Sequence, residues 1–291
     1  MTINPKDLEP RHFYSYMTAA VAPRPIAFAS TIDATGNVNL SPFSFFNFMG
    51  INPPLLVFSP NNRGRDGSKK DTVLNLQEIP EVVINMVDYA MVQQMSLSSC
   101  EYPKGVNEFT KSGFTEEKSL IVRPPRVKES PAQFECKVLE IREIGSANIV
   151  VCEVLMAHFD DAILDENGKI DQTKTDWVAR LGADWYSRAN KPSLFEVPKP
   201  NLKLGIGFDQ IPEKIRFSKI LSGNDLGMLG NSEALPTAEE IKEYREHPHV
   251  QELVNQALCG CAFLDDLLQN EAKQLLAQNK VKEAWLMLMQ G

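Results

Sequence analysis

Residues 59–72 offer the clearest chemistry in this sequence, because basic, hydroxyl and glycine residues crowd into one loop. The loop contains Arg63, Arg65, Lys69 and Lys70, follows a predicted strand and leads into a predicted helix. Backbone N–H groups at a helix N-terminus favour an anion, whereas lysines there are unfavourable unless a bound anion offsets their charge. Arginine can hold phosphate oxygens in a fork, and serine or threonine can donate further hydrogen bonds. The loop predicts a phosphate site, and the alternative is a solvated basic loop.

Residues 41–50 form a second unusual segment, in which four phenylalanines are interspersed with small polar residues. A flat, largely apolar ligand with polar edges needs such a surface, because carbon must cover its rings while a few polar groups fix its orientation. The alternative is a core strand whose phenylalanines pack only against other protein side chains. The pattern by itself is compatible with both.

The elements that would position these segments are mostly short strands. Apolar runs rich in β-branched residues and bounded by turn residues are typical of strands. The predicted strands are residues 26–32, a strand from about Val38, and residues 55–58, 81–87, 134–144 and 148–159. Many short strands with few helices between them favour a barrel over layered βαβ units.

Helices are predicted beside the strands and throughout the C-terminal part. Ser68 and Asp71 have the spacing of a capping box, which predicts a helix from there to about residue 78, and residues 89–97 predict a short one. Near the C-terminus, Thr237 and Glu240 have the same spacing. We therefore expect a main domain over 1–199 and a mostly helical C-terminal extension over 200–291.

Several segments, in the right order, resemble the flavin reductase-like, FMN-binding split β-barrel family. The resemblance covers about residues 12–198 and excludes the tail. It rests on Pro23-Arg24-Pro25-Ile26-Ala27-Phe28-Ala29-Ser30-Thr31, on residues 33–47, Pro53-Pro54 and 66–75, and on later matches at 129–136, 153–154 and 180–186.

This resemblance implies a mainly β fold, a six-stranded antiparallel Greek-key split barrel with flanking helices and a helical C-terminal extension. It also implies a homodimer with FMN held near the subunit interface. The residues expected to line the flavin ring are Ala29, Ser30, Thr31, Ser44, Phe45, Phe46 and Asn47. The residues expected around the phosphate are Ser59, Arg65, Lys70, Asp71 and Thr72.

A bound flavin carries the redox chemistry itself, so we expect neither a nucleophile nor an acid–base pair. The protein would position the ring, bond its polar edges and leave one face open. Arg180 and Tyr186 are substrate-side candidates, either at that open face or at the site of the second subunit, and the alternative is a surface ion pair and a core tyrosine.

Composition narrows the partners and the compartment. The net charge of −8 argues against nucleic acid or an anionic membrane as a partner. Five scattered cysteines, the lack of a signal-peptide pattern and the lack of a long apolar run predict a reduced, cytoplasmic protein. Neither the pair Cys259 and Cys261 nor the pair His247 and His249 has the spacing of a good metal site, so no metal is predicted.

Three functions remain open from the sequence. The first is an FMN-dependent oxidoreductase of the NAD(P)H:flavin reductase kind. Because no dinucleotide-binding βαβ motif is visible, NADH or NADPH would visit the flavin transiently, and electrons would pass on to a protein or small-molecule acceptor. The second is a flavoredoxin-like electron-transfer flavoprotein that does not oxidise NAD(P)H. The third is a non-enzymatic FMN-binding protein.

Overall fold

The computed structural model of the protein describes residues 1–198, 204–260 and 263–291. The chain divides into two compact units, Met1–Phe195 and Glu196–Gly291. The expected boundary at residues 199–200 lies outside the described residues, and so does Cys261. In the described ranges, no helix combines the length and apolar character needed to cross a membrane.

Strands dominate the first unit. They are β1 Ala27–Ile32, β2 Val38–Phe43, β3 Phe46–Ile51, β4 Pro54–Phe58, β5 Glu81–Asn85, β6 Glu116–Glu117, β7 Arg126–Val127, β8 Ala132–Ile144, β9 Ala147–Phe159, β10 Trp177–Arg180 and β11 Tyr186–Ala189. Among the described residues, seven of these strands form one antiparallel sheet in the order β2-β1-β5-β8-β9-β4-β3. The pairs β6–β7 and β10–β11 form two small separate sheets.

The large sheet encloses a single core. All seven strands and helix α2 contribute to one cluster of buried side chains, which includes Ala29, Phe43, Phe46, Phe58 and Cys152. The two edge strands of the order, β2 and β3, follow each other directly in the chain. A sheet whose ends meet and whose inner side chains share one core is a barrel, which confirms the mainly β split-barrel prediction.

The strand count differs from the prediction of six. The sequence pattern predicts one strand for the phenylalanine-rich segment. In the structure it forms two strands that are separated by Ser44 and Phe45. Phe43 and Phe46, on either side of this corner, both face the core. The hydrophobic pattern alone cannot show this break, because both strands are apolar and no glycine marks the corner.

Helices flank the barrel in the first unit. They are α1 Pro10–Ala20, α2 Asp71–Glu78, α3 Val92–Leu97 and α4 Glu108–Ser112. The predicted capping box at α2 is wrong, because the Ser68 hydroxyl and backbone N–H bond to Asp66, leaving Lys70 as the N-cap without a side-chain cap. Helix α1 was not predicted, because Pro10 opens it without a capping residue and only Thr18 of its side chains is buried.

The second unit is helical, as the sequence predicts. Its helices are α5 Glu213–Arg216, α6 Gly223–Gly230, α7 Ala238–Arg245, α8 Pro248–Leu258, α9 Leu264–Ala277 and α10 Val281–Leu288. Thr237 and Glu240 form the predicted capping box of α7. Trp285 lies in this unit's own core, where its indole N–H donates to Leu229 O at 3.2 Å and to Ser232 Oγ at 3.0 Å.

Candidate functional site

The corner between β2 and β3 brings several predicted site residues together. The backbone N–H of Ser59, just after β4, donates to Phe45 O at 2.8 Å, which ties the start of the basic loop to the corner. The Phe45 ring is partly exposed and meets the edge of Tyr14 at 6.3 Å between centroids. The Arg24 guanidinium lies 5.8 Å from the same ring. An aromatic surface is therefore present beside the loop.

Arg24 is a structural cation at this corner. Its guanidinium donates to Thr18 O at 2.6 Å, to Val21 O, and to Leu181 O at 2.9 Å. These carbonyls belong to the end of α1 and to the segment after β10. Arg24 thus holds α1 against the barrel, and most of its donors are already used.

Lys70 is the cation that stands out in the basic loop. Its ammonium lies 5.8 Å from the centroid of the Phe43 ring, at the inner side of the corner. In the described part of the chain, the Lys70 ammonium forms neither a hydrogen bond nor an ion pair. Burial, reinforced by the nearby Arg63, lowers the pKa of Lys70, although Glu101 and Asp71 oppose this. A half-buried cation without a hydrogen-bond or ion-pair partner is a favourable place for an anion.

The N-terminus of α2 adds donors next to Lys70. The backbone N–H groups of Asp71 and Thr72 have no hydrogen-bond partner among the described residues, and the helix dipole gives this end a partial positive charge. The Thr72 side chain is only 1% exposed, and its oxygen accepts from Asn39 Nδ2 at 3.0 Å. Thr72 is therefore buried as a whole residue, and the half-buried Asp71 is the first residue of α2 whose backbone can face this surface.

The other three cations of the loop have partners. Arg63 forms an ion pair with Asp71 at 2.9 Å and also donates to Lys69 O. Arg65 is 72% exposed and lies 3.1 Å from Asp66, while Lys69 pairs with Glu143. Arg65 also approaches Glu101 at 3.7 Å, in the loop that faces Lys70.

Strand β1 places its predicted ring contacts in the interior. Ala29, Ser30 and Thr31 are fully buried, and side chains alternate along the strand so that Ala29 faces the barrel core while Ser30 faces the other side. Thr31 Oγ1 accepts from Asn75 Nδ2 at 3.2 Å. Ser30 Oγ has no hydrogen-bond partner among the described residues.

Arg180 and Tyr186 lie together on the β10–β11 hairpin. The Arg180 guanidinium lies 4.6 Å from the centroid of the Tyr186 ring and donates to Ala183 O. The backbones of Arg24 and Arg180 exchange two hydrogen bonds, of 3.0 and 2.8 Å, so the hairpin adjoins the corner. Ser44 is half-buried at the corner, and Asn47 is exposed on β3.

A small polar cavity near α2 is too small for a cofactor. It measures about 20 Å³, which accommodates about one water, and Asp33, Asp71, Asn75 and Glu108 line part of it. Glu108 is 8% exposed and accepts from Leu40 N at 3.0 Å. Burial, together with the charge of Asp71, raises the pKa of Glu108. Sequence reasoning missed this carboxyl because no motif surrounds it.

The surface from Phe45 to Lys70 fits a flat aromatic group that bears an anion. Phe45 and Tyr14 offer apolar ring contacts, Ser44 and Ser59 offer hydroxyl groups, and Lys70 with the α2 N-terminus offers positive charge. This donor set fits a flavin mononucleotide. It does not suit a metal, since in the described ranges no group of three or more histidine, cysteine or carboxylate residues could hold a metal ion.

Comparison with known proteins agrees with this architecture. The flavin reductase like domain family matches residues 19–174. An uncharacterized protein of Aquifex aeolicus (strain VF5) is 38% identical over 184 residues, which make up 63% of this chain and 93% of that protein.

Two solved structures are similar in fold and sequence. One is the 2-nitrobenzoate 2-nitroreductase NbaA of Pseudomonas fluorescens, with 28% identity, a TM-score of 0.61, and coverage of 68% of this chain and 96% of that one. The other is nitrilotriacetate monooxygenase component B of Bacillus cereus, with 25% identity, a TM-score of 0.63, and coverage of 68% and 98%.

Proposed function

Because the chain belongs to the flavin reductase-like domain family, we propose that it is an FMN-dependent oxidoreductase that takes electrons from NADH or NADPH. The observation that carries the proposal is the unpaired Lys70 ammonium next to the α2 N-terminus and the Phe43–Phe45 corner. A phosphate bound there would gain a charge-assisted hydrogen bond from Lys70 and a further bond from the backbone N–H of Asp71 at the start of α2.

The corner residues would position the ring. Phe45 would contact one ring face or edge, and Ser44 and Asn47 would bond polar atoms at the ring's edges. When bound, FMN supplies the hydride and electron transfer, which no side chain of this site performs. Arg180 and Tyr186 would border the open side, where a nicotinamide ring or an acceptor must approach. A neighbouring structure that is a nitroreductase by name supports a reductive role.

A second copy of the chain would complete the site, and we propose a homodimer. The Phe45–Lys70 surface is open, so a ring bound to one chain alone would keep much of its area in water. Strand β3, which begins at the corner, exposes Phe48, Met49 and Ile51 by 55%, 64% and 86%. Exposed apolar side chains on an edge strand mark an interaction surface, and they lie next to the proposed ring site.

The proposal is tested by loading the purified chain with FMN and mixing it rapidly with NADH or NADPH while the flavin absorbance is followed. We expect the yellow absorbance to bleach with at least one of the two donors. Boiled protein with the same FMN is the control for non-enzymatic reduction.

The other outcomes identify the rival functions. Tight FMN binding with bleaching by a reduced ferredoxin, but by neither nicotinamide, would contradict the reductase and indicate an electron carrier. Failure to bind FMN at all would reject the flavoprotein proposal itself.

A further inference from the structure

A second cavity in the first unit is lined mostly by residues outside the proposed flavin site, which it adjoins at Tyr186. It measures about 180 Å³ and lies between α3 and the β10–β11 hairpin. The residues that line it are Tyr89, Val92, Gln93, Ser96, Val178, Tyr186, Ser187 and Arg188. Most of this surface is carbon, with short polar groups at the edges.

The size of the cavity suits a single ring. An apolar cavity of about 150 Å³ in another protein is known to bind benzene, so about 180 Å³ accommodates one six-membered ring with a small substituent. A dinucleotide or a three-ring flavin would not fit inside. The volume of the cavity therefore favours a ligand smaller than a flavin.

The charge of the cavity favours a neutral molecule. Arg188 is the cation in its lining, and its Nε and Nη2 each bond to an oxygen of Asp176 at 2.6 Å. The guanidinium also lies 3.8 Å from the centroid of the Tyr89 ring. Because the Asp176 carboxylate already balances the charge of Arg188 through two hydrogen bonds, the cavity holds no uncompensated cation, and an anionic ligand would be repelled by the charge of Asp176.

The aromatic side chains suit a flat ligand. Tyr89 is 52% exposed and Tyr186 is 36% exposed, and both line the cavity. A ligand bound there would therefore cover part of each ring. A ring inserted between α3 and the hairpin would contact these tyrosines together with Val92 and the buried Val178. Gln93, Ser96 and Ser187 would remain available to hydrogen-bond one polar substituent.

We propose that this cavity binds a neutral, single-ring aromatic compound that bears a hydrogen-bonding substituent such as an amide. Tyr186 connects the cavity to the flavin candidate, because its other neighbour is Arg180, whose backbone pairs with Arg24. The proposal concerns binding only and does not require the chain to bind FMN.

Fluorine NMR with 4-fluorobenzamide as the probe tests the proposal directly. We expect the probe's signal to broaden in the presence of the protein, and 4-fluorobenzoate, which has the same shape but a negative charge, to broaden much less. Replacing Ser96, an exposed residue of the lining, by phenylalanine should fill the cavity and abolish the broadening.

Two further variants keep the result interpretable. Ser99→Phe introduces the same side chain at an exposed position just after α3, outside the lining, and should leave the broadening unchanged. Tyr186→Ala should weaken the broadening by removing one ring contact. Equal broadening with wild type and Ser96→Phe, or stronger binding of 4-fluorobenzoate, would overturn the proposal.

Discussion

At the scale of single residues, the candidate site depends on which cation lacks a partner. Four basic side chains lie close together in residues 63–70, and three of them are held by acidic neighbours. The Lys70 ammonium forms no hydrogen bond or ion pair with the described residues, and its partial burial lowers its pKa. An anion bound beside it would restore the interactions that the ammonium lost when it left water.

Replacing Lys70 by methionine should therefore weaken the binding of FMN and leave the binding of riboflavin unchanged, because riboflavin lacks the phosphate. One charge-assisted hydrogen bond is worth about 1.5–3 kcal/mol, or roughly ten- to a hundredfold in affinity. Flavin fluorescence titration measures both constants.

Lys128→Met is the matched control, since Lys128 is exposed and lies outside the loop. Its affinity for both flavins should equal that of the wild type. A Lys70→Met variant that loses both affinities equally would show that Lys70 supports the fold or the ring and does not hold the phosphate.

The sequence could predict the basic loop but not its pairing. The partner of Lys69 is Glu143, which lies 74 residues away in the chain, and Glu101 approaches Arg65 from another loop. Such partners are set by the tertiary fold. The tertiary fold also decides which way the Ser30 side chain points. Ser30 lies in β1, which pairs with strands on both sides, and the Ala-Ser-Thr sequence alone does not show which side of the sheet the hydroxyl faces.

At the scale of elements, a buried carboxylate fastens an irregular segment to the barrel. Glu135 on β8 is fully buried and accepts backbone N–H groups from Leu120 at 2.8 Å, Ile121 at 2.7 Å and Val122 at 3.2 Å. His158 on the neighbouring strand β9 lies 2.8 Å from the same carboxylate. Burial raises the pKa of Glu135, but these hydrogen bonds outweigh it, so the pKa is lowered overall.

Glu135→Gln should lower the free energy of unfolding by about 1–3 kcal/mol at neutral pH, because an amide NH₂ would face backbone donors. Since the folded pKa is depressed, the carboxylate contributes stability above its ordinary value of 4.5 and loses it as pH falls through the folded pKa. The difference in the free energy of unfolding between wild type and variant should therefore become smaller as the pH falls through the folded-state pKa of Glu135.

Chemical denaturation at a series of pH values measures this difference. Glu140→Gln, an exposed position on the same strand, is the control and should change stability by no more than about 0.5 kcal/mol. A difference that stays constant or widens as the pH falls would contradict the role given to the Glu135 carboxylate.

The elements themselves were partly readable from the sequence. Strands β8 and β9 correspond to the two strands predicted at 134–144 and 148–159, and Gly145, in the turn that joins them, has a positive φ of 59°. Helix α1 was missed, since Tyr14, Tyr16 and Met17 are all exposed and leave no buried stripe to recognise. Its anchoring by Arg24 is a long-range contact, which local patterns do not contain.

At the scale of the whole molecule, the chain consists of two compact units that follow each other in the sequence. The family match ends at residue 174, and the helical unit from Glu196 onward has its own buried cluster around Leu229, Leu276 and Trp285. The proposed assembly concerns the first unit, whose β3 strand leaves large apolar side chains in water.

Replacing both Met49 and Ile51 by glutamate should convert the proposed dimer into a monomer, because the charges would have to be buried against the second copy. Light scattering should give twice the mass of one chain for the wild type and the mass of one chain for the variant. Leu97→Glu, an exposed apolar position on α3, should remain dimeric. A wild type that is monomeric at all concentrations would reject the assembly.

The two-residue corner at Ser44 and Phe45 constrains how this protein can change over evolution. Since side chains alternate along a strand, one residue inserted at the corner would turn Phe46 outward and Asn47 into the core. A hairpin tip such as Gly145-Ser146 faces no such penalty. We expect insertions and deletions among relatives to accumulate at the hairpin tips and to be absent from the corner, whose length should stay at two residues.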